Sequence, residues 1–334
     1  MKSVFKLFDA LIVPVFSYGC QVWLYCTYLF KLITNGQINK DPKNSLKKIA
    51  KDPTERIHLK LLKWTLGVNK KASNIGCWGD SGRMPMVLQL VKQTFDFQKR
   101  LEALDQNDSS CLVRHAYVDQ RDLGLPWFAA LQSYLHNGSL TANSPSVAVR
   151  EATKHIFEEL WLSSVTNSSK LKFYSMVKFD VGYEPYLSLA DPNKRKVIAK
   201  LRTSNHRLNN ETGRYINTKS PSSADTILWK KCCKICSSND AEYLASLPFF
   251  EPILEDEQHV LVSCPLYHHV RLSLPDEIKS TVISWEPGKL VTLFSDLFVK
   301  SFATYMVKLF HLRFPRKGTK PSTSPESTQR HSIS

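Results

Sequence analysis

Three cysteines and one histidine, Cys233, Cys236, His259 and Cys264, carry the clearest chemistry in the chain. They are spaced C-x2-C, then 22 residues, then H-x4-C. Three thiolates and one imidazole fill the tetrahedral shell of Zn²⁺, and each close pair lets one short loop aim two ligands at one ion. Two readings compete with this. Cys232 adjoins the first ligand and could take its place, and Cys233 could be the nucleophile of a Cys-x-x-Cys redox pair. The redox reading lacks the preceding strand and following helix that activate such a thiol. One structural Zn²⁺ is therefore the expected cofactor. The chain has no G-x-S-x-G elbow, no G-x-x-x-x-G-K-[ST] loop and no G-x-G-x-x-G turn, so nucleophilic hydrolysis and nucleotide-phosphate cradling have no sequence basis.

The closing H-x4-C is the tail of a zinc knuckle, a module that grips single-stranded nucleic acid. A compact knuckle would place His259 within about ten residues of Cys236. The excess reads as an apolar, proline-broken insertion over 241–254. Closing the longer loop costs about 1 kcal/mol, because closure entropy grows only with the logarithm of length.

Charge gives the second signal. The 334-residue chain carries a formal +15, and most of the excess is concentrated in two short stretches. Residues 40–71 hold ten Lys/Arg against three carboxylates, a net +7, and residues 191–214 hold seven against two, a net +5. Such concentration beside a candidate knuckle is the footprint of a phosphate-backbone binder, although a Lys-rich surface that only aids solubility has the same composition. Eight cysteines without a regular framework place the chain in a reducing, intracellular compartment, cytoplasmic or nuclear. Ala10–Phe30 runs 21 residues without a charge, long enough to span a bilayer. Its Pro14, Ser17, Gly19 and Gln21 fit a buried helix-turn-strand segment better, so no membrane partner is expected.

The elements that must position these residues are mainly α-helical. Residues 1–16 read as an amphipathic helix with Val4, Leu7, Phe8, Leu11 and Val15 inward and a bend at Pro14. Pro53 opens a helix with Ile57, Leu61, Trp64 and Leu66 on one stripe; Gly67 stops it, and Lys60 and Lys63 face away. Asn74–Pro85 reads as a glycine-studded connector. Helices follow from Pro85, over 126–136, over 146–161 and over 296–314. The spacing and composition predict a helical bundle over 1–105, a helical linker over 106–190 and a basic lead-in with the zinc module over 191–275. A C-terminal helical segment over 276–314 and a disordered tail over 315–334 complete the chain.

Several phrases resemble the C-terminal end of the polymerase polyprotein of a non-LTR (LINE-type) retrotransposon. They are Lys6-Leu7-Phe8-Asp9-Ala10-Leu11-Ile12-Val13-Pro14-Val15 with Tyr18-Gly19 and Trp23; Glu55-Arg56-Ile57-His58-Leu59-Lys60 with Leu66-Gly67-Val68; and Gly79-Asp80-Ser81-Gly82-Arg83-Met84-Pro85. Further on, Leu201-Arg202, His206-Arg207-Leu208 and Glu211-Thr212-Gly213-Arg214-Tyr215 resemble the lead-in to that family's Cys-Cys-His-Cys knuckle. His259, Cys264-Pro265-Leu266-Tyr267 and Arg271 resemble its close. The resemblance covers roughly 1–105 and 195–272 and implies a reverse-transcriptase thumb followed by a knuckle. It would lay Lys60, Lys63 and Arg83 along a duplex backbone, and Arg202, Arg207 and Arg214 beside single-stranded RNA. The family's aromatic-Ala-Asp-Asp turn, which holds the two catalytic metals, has no counterpart, for no Asp-Asp occurs in the chain. The resemblance thus implies an RNA or RNA/DNA partner, no small-molecule substrate and no catalysis by this chain. The alternative is a helical interaction protein or a non-functional relic with a structural zinc and no nucleic-acid role.

Overall fold

The computed structural model describes residues 1–34, 40–104, 111–137, 139–141, 144–213, 231–233, 236 and 253–314. Arg214, most of the 241–254 insertion and the 315–334 tail lie outside them. The described chain is mainly α-helical, as its patterning requires. Among the described residues there is no strand, and a single isolated antiparallel bridge joins Cys232 to Leu254.

The first helices, α1 (Lys2–Leu11) and α2 (Val13–Ser17), break where Pro14 removes a backbone donor. The face they bury differs from the sequence reading. Phe5 and Phe8 point inward, whereas Leu7, Leu11 and Val15 are 60%, 65% and 68% exposed. The uncharged segment continues as α3 (Cys20–Trp23) and α4 (Tyr28–Thr34), with Leu24, Leu29 and Phe30 buried and no strand. No single helix among the described residues is long and apolar enough to cross a membrane.

After α5 (Pro42–Ile49), α6 (Pro53–Leu66) starts at Pro53 and ends at Gly67, whose φ of +67° is the left-handed C-terminal stop that glycine permits. Its buried face is His58, Leu59, Leu62 and Leu66, with Glu55 in the first turn. Ile57 and Trp64 face outward, so the expected stripe is rotated. Polar His58 and Glu55 occupy core positions that hydropathy assigns to solvent.

The glycine-studded connector folds as a buried helix, α7 (Asn74–Ser81). Ser73 caps it by accepting from Gly76 N–H at 3.4 Å. Glycine is required for closeness: a Cβ on Gly79 would lie 2.7 Å from Trp161 Cζ2. The helices α8 (Met86–Glu102), α9 (Leu112–Asp122), α10 (Pro126–Asn137) and α11 (Ser146–Thr166) follow. The long α11 packs on α5 and α8, and α10 packs on α4.

Next come α12 (Lys172–Val177), α13 (Pro192–Arg202) and α14 (Asn209–Thr212). Then α15 (His268–Leu272), α16 (Asp276–Ser284), α17 (Pro287–Leu290) and α18 (Val299–Arg313) close the chain, with α18 packed along α13. One hydrophobic core runs from Phe5 to Leu309 and draws side chains from 1–105, 106–190, 191–275 and 276–314 alike.

Candidate metal centre and nucleic-acid interface

The candidate ligands are assembled from both ends of the long gap. Cys233 leaves a two-rung ribbon in which Cys233 N–H donates to Ile253 O and Glu255 N–H to Lys231 O, both at 2.9 Å. Ile253 and Leu254, read from sequence as the end of an insertion, are therefore part of the support of the first ligand. Glu255 anchors the ribbon to the helical body. Its buried carboxylate accepts from Asn209 N–H at 2.8 Å and from Arg313 Nε at 2.6 Å and Nη2 at 3.1 Å. Asn209 Nδ2 also donates to Cys232 O at 2.8 Å, which fixes the strand-like segment before Cys233.

His259 and Cys264 sit at the two ends of a π turn over His259–Ser263. In an α-helix residues five apart point roughly 140° away from each other. The wider turn, closed by Cys264 N–H on His259 O at 2.7 Å, returns the fifth residue to the same side. Asp256 Oδ1 accepts from His259 N–H at 2.8 Å. From the far side Arg271 Nη2 donates to Cys264 O at 2.6 Å, and Nη1 reaches Val260 O at 3.5 Å. The H-x4-C spacing and Arg271 thus belong to one local device.

The four ligand atoms of Cys233, Cys236, His259 and Cys264 all lie within 4.8 Å of one another. Cys236 Sγ and Cys264 Sγ are 3.8 Å apart, far beyond a disulfide bond. It is also the edge of a tetrahedron with metal–sulfur bonds of about 2.3 Å, which comes to about 3.8 Å. His259 Nε2 is buried and, among the described residues, has no hydrogen-bond partner. Burial pushes the Cys236 thiol up to about 12, and the neighbouring Cys233 and Cys264 add to it; burial also raises Cys264. A buried imidazole nitrogen without a partner, among thiols that resist ionising together, is a donor set arranged for a cation. These residues fit one metal ion. Cys232 is buried just outside the set, and Tyr267 is a packed core residue rather than a stacking surface. His268 and His269 are exposed at the start of α15.

The expected nucleic-acid contacts divide. Lys60 and Arg207 are exposed. Lys63 is half-buried and donates to Lys70 O at 3.0 Å, and burial pushes its ammonium down. Arg83 corrects the sequence reading. Its Nε donates to His58 Nε2 at 3.2 Å and its Nη1 to Asp9 Oδ2 at 3.0 Å, so its donors serve the fold. His58 Nδ1 in turn meets Glu55 Oε1 at 3.0 Å. That chain of contacts joins all three N-terminal phrases singled out in the sequence.

Arg202 is the larger correction. It is fully buried, donating to Asp80 at 3.0–3.2 Å and reaching Glu184 Oε2 at 3.2 Å, with Phe294 4.5 Å beneath its guanidinium. It cannot touch a phosphate. Arg214 lies outside the described residues.

What the sequence reading missed is a cleft of about 860 Å³ to which both basic stretches contribute. Trp64 and Lys71 of the first stretch line it together with Lys196, Lys200 and Arg207 of the second. The signal was present for the last group: Lys196 and Lys200 are four apart on one helix and so share a face. In comparisons with protein families, curated proteins and solved structures, nothing matches the chain.

Proposed function

We propose that the chain binds nucleic acid as the thumb-and-knuckle part of a retrotransposon-encoded RNA-directed DNA polymerase, and that it performs no polymerase chemistry itself. Cys233, Cys236, His259 and Cys264 would hold one structural Zn²⁺. The ion, when bound, supplies cross-linking between the ribbon and the π turn, and no reaction. The observation that carries the reading is this Cys3His cluster, set on a body whose two basic stretches share one cleft. The convergence of Asp9, His58, Glu55 and Arg83 on one polar network supports treating the N-terminal phrases as a unit.

The test is zinc content and RNA affinity of the purified chain. One zinc per chain is expected, lost in Cys233→Ser/Cys264→Ser. Log K for single-stranded RNA should fall steeply with log salt, because phosphate contacts release counterions. A chain without zinc, or with an affinity that barely changes with salt, overturns the proposal.

One observation favours the second reading, a protein-interaction role. Leu7, Leu11, Val15, Tyr18 and Val22 leave an apolar stripe uncovered along α1 to α3, a surface of the kind that packs against another domain. If the stripe alone mattered, Leu11→Glu/Val15→Glu would abolish partner binding while RNA affinity was absent from the start.

A further inference from the structure

We propose that the cleft between α6, α13 and α18 is a binding site for single-stranded nucleic acid, taking backbone phosphate on Lys196, Lys200 and Arg207 and a base on Trp64. The inference rests on the nucleic-acid reading above but concerns residues outside the metal centre.

Four observations carry it. First, the three cations lack internal partners. Among the described residues no hydrogen bond or ion pair engages the side chains of Lys196, Lys200 or Arg207. Among the described residues the one carboxylate lining the cleft, Glu211, is already paired with Lys170 at 3.3 Å, and His206 is held by Glu257 at 2.9 Å. Like charges so placed repel one another. Burial pushes the Lys200 ammonium down, and the charges of Lys196 and Arg207 add to that. A bound anion relieves this repulsion.

Second, the cations are positioned. Gly67, in its left-handed turn, leaves room for the Lys196 stem: a Cβ there would lie 3.1 Å from Lys196 Cγ. Third, Trp64 is 72% exposed on the lip of the cleft. A tryptophan so placed buries little in the fold and offers an open ring face, while Phe310 and Phe314, 6.1 Å apart and stacked, also line the cleft. Cations that track a phosphate backbone beside aromatic faces that accept any base are the two parts of a single-strand site.

Fourth, the cleft and the metal centre share a wall. His206, Arg207, Glu211 and Thr212 line the cleft, while Asn209 and Asn210, between them in the chain, bond Cys232 O and Glu255 of the ribbon. A strand leaving the cleft along this segment meets the ribbon next.

The test uses the full zinc-loaded chain and a fluorescently labelled 12-nucleotide oligo(U) RNA, with oligo(dT) in parallel, read by anisotropy over a salt series. Lys196→Glu/Lys200→Glu should weaken binding at least tenfold and flatten the log K–log salt slope by roughly 1.4, from two lost phosphate contacts at about 0.7 each. Trp64→Ala should weaken binding roughly 5- to 100-fold with the slope unchanged, the mark of lost stacking. These side chains are exposed or unpaired, so thermal melts should match wild type. If wild type binds and both variants bind equally well, the cleft is not the site and the nucleic-acid reading stands on the metal centre alone. If wild type binds neither oligonucleotide at low salt, both readings fall.

Discussion

Asn69 and Asn205, 136 residues apart, hold each other's amide groups: Asn69 N–H donates to Asn205 Oδ1 at 2.9 Å, and Asn205 Nδ2 donates to Asn69 Oδ1 at 2.7 Å. Lys71 N–H adds a third bond to Asn69 Oδ1 at 2.8 Å. This exchange ties the turn after α6 to the turn after α13, which makes one cleft wall out of two basic stretches. Asn205→Ala leaves the Asn69 amide unpaired in a partly buried place, so urea melts should show a loss of about 1–2 kcal/mol. RNA affinity should fall with it, since Lys71 and Arg207 lose their fixed separation.

The Arg202 guanidinium and the carboxylates of Asp80 and Glu184 form a buried ion cluster. Burial raises Glu184, with the charge of Arg202 working against it. Arg202→Met should cost about 3–5 kcal/mol in equilibrium unfolding, because it strips the fully buried Asp80 carboxylate of its cation and leaves Glu184 with Lys178 alone. Adding Asp80→Asn to that variant should restore part of the loss. A double variant less stable than Arg202→Met would show that the pair does not act as a unit.

Asp52, before α6, gives stability a dependence on pH. Its Oδ1 accepts from Tyr28 N–H at 3.1 Å, its Oδ2 is buried with no partner among the described residues, and burial raises the carboxyl to about 6. The folded chain therefore holds this proton more tightly than the unfolded one. The contribution favours folding below about pH 4 and is lost as pH rises through about 6. Asp52→Asn should remove this part of the slope between pH 4 and 6 and exceed wild type at pH 7 by about 1–2 kcal/mol. Parallel curves for the two proteins would refute the assignment.

Arg271 supports the π turn without touching a ligand atom, through its bonds to the Cys264 and Val260 carbonyls. Arg271→Ala should lower zinc affinity about 10- to 100-fold, as loss of a buttress around metal ligands does. Competition with a chromophoric chelator measures this. Zinc stoichiometry at saturation should stay at one, which separates a buttress from a ligand.

Much of the fold was legible where the backbone dictates it. Pro53 and Gly67 fixed both ends of α6, because proline suits the first turn and only glycine takes a left-handed stop cheaply. The clustering of Cys233, Cys236, His259 and Cys264 was legible because metal chemistry restricts residue type and spacing together. The buried face of α6 was not, since Glu55 and His58 are core residues only in the company of Trp78 and Arg83. Glycine-rich 74–85 reads as loop by composition, yet its small residues are what let α7 lie against Trp161. Nor can a sequence show that Arg202 is buried while Lys200, two residues earlier, reaches the cleft. That distinction lies in which side of α13 meets Asp80.

The pairing of Arg202 with Asp80 also sets an order of events while the chain is being made. Asp80 is synthesised 122 residues before its cation. At 5–20 residues per second that is an interval of about 6–24 seconds. Throughout it the N-terminal helices can collapse but cannot bury Asp80 as a carboxylate without large cost. They must leave α7 loosely seated until α13 arrives. The halves of the chain are thus completed by each other, and a ribosome that stalls between them would release a product with its central acid still exposed to water.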